Sequence, residues 1–372
     1  MSAPLPRPSA TEPWVDWGKA VAAQLIVWHH LVSYGPLARR FDHDTTEWLV
    51  TYPPLLVQVF LVISGYLGAR SLWPQPGEPR LRLADWPRRV AQRWGRLMPV
   101  YLLALVAAVA AAAVARYLMR DVDTPAAPTL RQGLAHLLML QDILEVPALT
   151  TGVWYVAIDL QLFALFAGLA ALMALAVPKA TSASNRARPS VWLATGGVLL
   201  LSVGALAAVC GFNLLPDADQ WGTYFFGSFA LGVLAAWGWR GGERWAWMAL
   251  IMAIAGAGLV LAWRDRLALA AAVALLLLWQ PGRERLSRAA LQPVVAWLAA
   301  RSYAVFLLHY PVSLLVNSVF ERWLPRTDEL AVLGLGLTWA LSLAAADWAH
   351  RVLESKASPR RRRYALSPAP NA

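Results

Sequence analysis

Ten stretches of this chain are nearly uninterrupted apolar runs, and that pattern limits what it can fold into more than any other feature. Crossing the hydrocarbon of a bilayer takes roughly 20 mostly apolar residues in a helix. Lipid offers no water to an unpaired backbone, so each run must close its own hydrogen bonds. The runs fall near 15–35, 50–72, 97–117, 152–177, 191–210, 222–239, 245–263, 266–280, 294–320 and 330–350. They predict an all-α, polytopic membrane protein of about ten transmembrane helices, with a cytoplasmic tail over 1–14, a membrane domain over 15–354 and a basic cytoplasmic tail over 355–372. The run 266–280 is short, and either tilts or merges with its neighbour across Arg264, Asp265 and Arg266. The segment 130–146, LRQGLAHLLMLQDILEV, is too polar to span and is expected to lie at an interface.

Composition excludes a compact aqueous domain: 58% of residues are hydrophobic, 15% are charged, and Trp occurs 20 times. Basic residues are unevenly placed. With both termini in the cytoplasm, 22 Lys and Arg fall on the inner side and 9 on the outer side, as the positive-inside rule requires. The net charge of +11 therefore needs no nucleic-acid partner, and SPRRRRY near the C-terminus reads as a tail facing anionic membrane lipids. The first dozen residues are polar and Pro-rich, and no small-residue cleavage pattern follows the first run, so a removed signal peptide is not expected. Cys210, the single cysteine, excludes an internal disulfide and a cysteine metal cluster; there is no His-Glu-x-x-His and no Gly-rich phosphate loop, and no metal site is expected.

Ionisable groups inside apolar runs are expensive and mark function by default. Here they are Asp16, Lys19, His29, His30, Asp159, Arg301, His309 and Asp347. On a helix, His30 returns to within about 40° of Asp16 and about 20° of Lys19, whereas His29 lies about 100° away. His30 is therefore the better candidate to face a polar interior, with His29 assisting from the side or contacting a neighbouring helix. A neutral imidazole can take a proton from a hydroxyl and return it, the requirement for moving an acyl group between oxygen or sulfur atoms. A buried histidine satisfied by a carbonyl is the competing reading. Asp16 and Lys19 are also placed where snorkelling alone would explain them.

In RRVAQRWGRLMPVY, residues 88–101, Arg93 and Arg96 stand three apart on one helical face. Guanidinium forks suit phosphate oxygens, although the positive-inside bias would place arginine there in any case.

Several separated segments together resemble the acyltransferase-3 family of integral membrane acyltransferases. VDWGKAVAAQLIVWHH is similar to the family's first span, through Asp16, Lys19 (where Arg is commoner) and His30. VFLVISGYLGARSL matches its Ser-Gly-aromatic segment at Phe60, Ser64, Gly65 and Tyr66, and RWGRLMPVY its Arg-x-x-Arg-x-x-Pro-x-Tyr pattern at Arg93, Arg96, Pro99 and Tyr101. VWYVAIDLQLF resembles a further run through Trp154 and Gln161, with Asp159 where Glu is usual and Phe163 where Tyr is usual. RSYAVFLLHYPV carries Ser302, Tyr303, His309 and Pro311 of a late-span motif, and DWAHRVLESKA keeps Glu354 but lacks the Arg-Pro that often follows it.

The resemblance implies a cytoplasmic acyl-CoA donor, usually acetyl-CoA, and an acceptor hydroxyl on a surface or lipid-linked glycan, at a bacterial inner membrane. No tightly bound cofactor is expected. It implies a catalytic set of His30, His29, Asp16 and Asp159, a donor site of Arg93, Arg96, Lys19 and Ser64, and acceptor contacts from His309, Tyr303, Trp154 and Gln161. Several roles stay open. Asp159 either orients a histidine or pairs with Arg301; His309 either lines the acceptor chamber or satisfies carbonyls freed by Pro311; Ser64-Gly65 either serves the site, with Ser64 a possible acyl carrier, or only lets two helices approach. Trp48, Trp73 and Trp323 are expected to be interfacial anchors. A proton-coupled or glycan transporter is the alternative, since it too would bury Asp, Arg and His along a pathway.

Overall fold

The structure, a computed structural model, describes residues 12–41, 43–72, 82–176, 188–241 and 243–354. The first 11 residues, Trp73, Lys179 and the basic run Arg360 to Arg363 lie outside the described residues, so the expectations for both tails do too. Among the described residues there are thirteen α-helices and no strand. These are α1 (Pro13–Ser33), α2 (His43–Thr51), α3 (Val57–Leu72), α4 (Trp86–Leu118), α5 (Leu130–Leu137), α6 (Val153–Ala176), α7 (Arg188–Cys210), α8 (Gly222–Gly241), α9 (Arg244–Leu261), α10 (Asp265–Trp279), α11 (Arg283–Ser287), α12 (Gln292–Trp323) and α13 (Asp328–Ala349).

Seven helical stretches among the described residues are long and apolar enough to cross a membrane: Thr46–Leu72, Leu83–Leu118, Val153–Met173, Gly196–Leu214, Arg244–Leu261, Gln292–Trp323 and Asp328–Leu353. The expectation of ten included three more, on α1, α8 and α10. Each falls short for a physical reason. Asp16, Lys19 and the two histidines dilute α1; α8 is rich in Gly and Trp and is buried along most of its length; α10 has 15 residues. A helix enclosed by its neighbours does not need a lipid-grade surface.

The short run 266–280 does not merge with its neighbour. Between α9 and α10 the Arg264 guanidinium donates to Ala262 O at 3.1 Å, Val209 O at 2.9 Å, Gly258 O at 2.6 Å and Asn213 Oδ1 at 2.7 Å, clamping the ends of α7 and α9 at the break.

Helices α3 and α8 pack backbone to backbone. A Cβ on Gly65 would fall on the Phe229 carbonyl oxygen, and one on Gly232 on the Val62 carbonyl oxygen. The Ser64-Gly65 step thus does permit close helix approach.

Helices α1 and α12 run parallel in a nearly constant register. Trp17 Nε1 donates to Gln292 Oε1 at 3.1 Å near one end, His30 meets His309 further along, and Leu37 N donates to Asn317 Oδ1 at 3.0 Å just past α1. Beyond α1 the chain turns at Gly35, φ +90°, where the Asn317 amide occupies the space a Cβ would need. Asp123, in the segment after α4, accepts from Gly35 N and from Arg39 Nη1, both at 2.8 Å, and Tyr310 Oη donates to its carbonyl at 2.6 Å. One polar clasp thus joins three segments at this end of the bundle.

Helix α6 runs antiparallel to α4, with Asp159 beside Arg93 and the Ala164 carbonyl accepting from Trp86 Nε1 at 2.8 Å. It therefore begins part-way along α4. In the segment 119–152, α5 starts with a Thr129/Gln132 capping box, and the Leu137 carbonyl accepts from Trp94 Nε1 at 3.3 Å. Leu130, Leu134, Leu137 and Leu138 are exposed on this segment while His136 is buried. The segment expected at an interface thus exposes four leucines and touches α4 at Trp94. Trp48 and Trp323 are exposed, as anchors would be.

Candidate functional site

Six of the eight ionisable residues of the apolar runs gather into two clusters beside α1, about 16 Å apart along the helix at 1.5 Å per residue, and Arg301 and Asp347 pair with each other elsewhere.

The first surrounds Lys19. Arg93 donates through Nε and Nη2 to Asp159 Oδ2, at 3.2 and 2.6 Å, and Ser64 Oγ donates to Asp159 Oδ1 at 2.5 Å. One residue from each of α3, α4 and α6 is thereby locked together. Lys19 lies within electrostatic range of Asp16, Arg96, Arg93 and Asp159. Arg96 is exposed and forms no ion pair among the described residues. The Tyr303 hydroxyl donates to the Leu97 carbonyl at 2.9 Å, holding α12 to α4 beside this cluster.

Asp159 therefore does not pair with Arg301. Arg301 Nε instead donates to Asp347 Oδ1 at 2.6 Å, and Arg351 donates to the other oxygen of Asp347. Position along the helices explains the difference: Arg301 faces α13, whereas Asp159 faces α4.

The second cluster surrounds His30. His30 Nδ1 and His309 Nε2 are 2.7 Å apart, with ring planes inclined by 17°. His309 is fully buried; its Nδ1 lies 3.1 Å from the Val305 carbonyl and its Nε2 3.3 Å from Thr151 Oγ1. Pro311 frees the carbonyl four residues before it, that of Leu307, so His309 bonds a different carbonyl from the one the proline leaves open. His29 Nδ1 donates to the Leu49 carbonyl at 3.0 Å and ties α1 to α2. Among the described residues His30 Nε2 has no hydrogen-bond partner, and it is not one of the polar atoms sealed from solvent. His29 Nε2 likewise has no hydrogen-bond partner among the described residues; what sets His30 apart is that its Nδ1 meets a second, fully buried imidazole, whereas His29 Nδ1 is spent on a backbone carbonyl.

Aromatic side chains join the clusters. The Tyr155 ring packs against Phe60 at 5.9 Å and Phe306 at 5.7 Å, and Tyr155 lies within electrostatic range of Asp159 and Arg93. Phe306 in turn contacts His309, with ring centroids 6.4 Å apart. Tyr155 and Thr151 were not among the residues expected from sequence. Tyr155 precedes Asp159 by four positions on α6, a same-face spacing that points to it.

Of the expected acceptor residues, Gln161 sits away from both clusters, and Trp154 stands at the edge of the aromatic wall, its ring 6.2 Å from that of Tyr155. Gln161 Oε1 accepts from Gly222 N at 2.7 Å, and so satisfies a backbone donor at the start of α8. Trp154 packs on Phe225, with ring centroids 5.9 Å apart. Asp16 remains at the start of α1, one turn from Lys19. Among the described residues no group of His, Cys, Asp and Glu could hold a metal ion.

A family profile described as an acyltransferase domain matches residues 12–346, most of the chain. The chain belongs to the acyltransferase-3 family. The match spans α1 and most of α13, so both clusters lie inside the acyltransferase domain. Membership of the acyltransferase-3 family, together with the apolar helices, identifies a multi-pass membrane protein of acyl transfer. Comparisons with curated proteins and with solved structures give no significant match.

Proposed function

We propose that this acyltransferase moves an acyl group, most simply acetyl, from cytoplasmic acyl-CoA to a hydroxyl of a surface or lipid-linked carbohydrate. The observation that carries the reading is His30, hydrogen-bonded through Nδ1 to His309 and open at Nε2. An imidazole held on one side and free on the other is arranged to take a proton from an incoming hydroxyl.

The balanced step is direct. The acceptor O–H gives its proton to His30 Nε2 as its oxygen attacks the thioester carbonyl. The C–S bond then breaks, an ester forms, and the imidazolium returns the proton to the departing thiolate. Ser64 faces a carboxylate already held by Arg93 rather than an imidazole, which favours direct transfer over an acyl-serine. Arg96, Lys19 and the remaining Nη1 of Arg93 are the cations available to the phosphates of CoA, and the aromatic wall of Phe60, Tyr155 and Phe306 leads from them toward His30. In this reading the arginine cluster lies on the cytoplasmic side of ten spans with both termini inside, in a bacterial inner membrane, and the excess of basic residues in the segments assigned to the inner face supports that orientation.

The test is incubation of the purified protein in lipid with radiolabelled acetyl-CoA and cell-surface glycan. Label in the glycan supports the reading; a transporter would incorporate none.

A further inference from the structure

We propose that His309 is a positioning residue that fixes His30 as its Nδ1–H tautomer and so leaves Nε2 as the proton acceptor. The catalytic consequence rests on the acyl-transfer reading above; the tautomer itself follows from hydrogen bonding alone.

The assignment starts at a backbone oxygen. A carbonyl only accepts, so His309 Nδ1, 3.1 Å from Val305 O, carries a proton. A neutral imidazole protonated at Nδ1 has a lone pair at Nε2. That lone pair faces His30 Nδ1 at 2.7 Å, with the Thr151 hydroxyl a more distant second donor at 3.3 Å. Two lone pairs, or two N–H groups, at such a separation would repel. His30 Nδ1 is therefore the donor, and the only lone pair left on its ring is at Nε2, the nitrogen without a partner among the described residues.

The order survives a catalytic cycle. When His30 gains a proton at Nε2, its Nδ1–H continues to donate to His309, and the ring keeps its orientation. His309 is 0% exposed, so bulk water does not compete for its Nε2. Simple packing of two stacked rings would tolerate an apolar residue at 309 on α12; an acceptor role would not.

The decisive experiment is nitrogen-15 NMR of the full-length protein in lipid nanodiscs with labelled histidine, in a chain that contains only 6 histidines. His30 is identified by the signal lost in His30→Gln. The expected wild-type result is a protonated Nδ1 and an unprotonated Nε2 on His30. His309→Leu should give a mixture of tautomers, and His309→Gln, whose side-chain oxygen can accept, should restore one. In the transfer assay His309→Leu should lower kcat by about 100-fold, at the lower end of what a positioned base contributes, with the KM for acetyl-CoA little changed and His309→Gln intermediate. A wild-type His30 protonated at Nε2 overturns the proposal, and so does an unchanged tautomer in a folded His309→Leu. If that variant does not fold, the wild-type spectrum still decides. Absence of acyl transfer in every sample, with the expected tautomer present, would remove the acyl-transfer reading and leave the positioning contact intact.

Discussion

Arg93 and Asp159 form a two-nitrogen ion pair between α4 and α6, at 3.2 and 2.6 Å, that is largely withdrawn from solvent. Breaking such a pair strands a charge, which weighs more than the pair itself contributes. Asp159→Asn should destabilise the protein by about 3 kcal/mol, the lower end for a buried pair because the Arg93 side chain keeps 26% exposure. Thermal unfolding in detergent checks this, and Arg93→Met combined with Asp159→Leu should recover part of the loss.

Helices α3 and α8 offer a second test. Gly65→Ala sets a methyl group against the Phe229 carbonyl, with no flexible side chain to yield. The helices must separate, at a cost of about 1–3 kcal/mol. Gly95→Ala, where no atom lies within 4 Å of the added carbon, is the matched control and should leave unfolding unchanged or slightly raise it.

Donor binding separates the two arginines. Arg96 is exposed without an ion pair among the described residues, whereas Arg93 also holds Asp159. Arg96→Gln should weaken acetyl-CoA binding by about tenfold, as expected for one charged hydrogen bond, and leave unfolding unchanged. Arg93→Gln should change both. Calorimetric titration paired with thermal unfolding reads the split, and an unaltered affinity in both variants would remove arginine from the donor site.

The segment after α5 should respond to acid. His136 Nδ1 donates to Gln132 O at 2.7 Å, and Nε2 accepts from Leu149 N at 3.1 Å. Burial holds the imidazole below its usual 6.5, outweighing the Gln132 carbonyl and Asp142, which pull the other way. With the folded value below the unfolded one, the stabilising contribution is present above about pH 6.5 and is lost as pH falls toward the folded value. A proton on Nε2 would also displace the Leu149 N–H. Hydrogen exchange at Leu149, corrected for the intrinsic pH dependence of exchange, should show lower protection near pH 5 than near pH 7.5, and His136→Gln should flatten the difference.

The helical runs and the two histidines were legible because hydropathy and a 3.6-residue period are local properties. Which side chains meet across helices is not local. Nothing in the spacing of Asp159 distinguishes Arg93 from Arg301 as its partner; that depends on α6 running beside α4 and starting part-way along it. The same holds for Gln161, whose bond to Gly222 N depends on the start of α8 arriving beside it. The segment 130–146 was legible as non-spanning and its Thr129/Gln132 cap is local, but its contact with Trp94 of α4 is a single indole-to-carbonyl bond that no sequence pattern marks.

The central claim is that one ring nitrogen of His30 takes the acceptor's proton. Its most direct measurement is transfer of labelled acetyl from acetyl-CoA by purified His30→Ala protein, with folding verified by thermal unfolding and donor binding by titration. Donor binding should stay intact and transfer should fall to background. Transfer near the wild-type rate in that variant would contradict the claim.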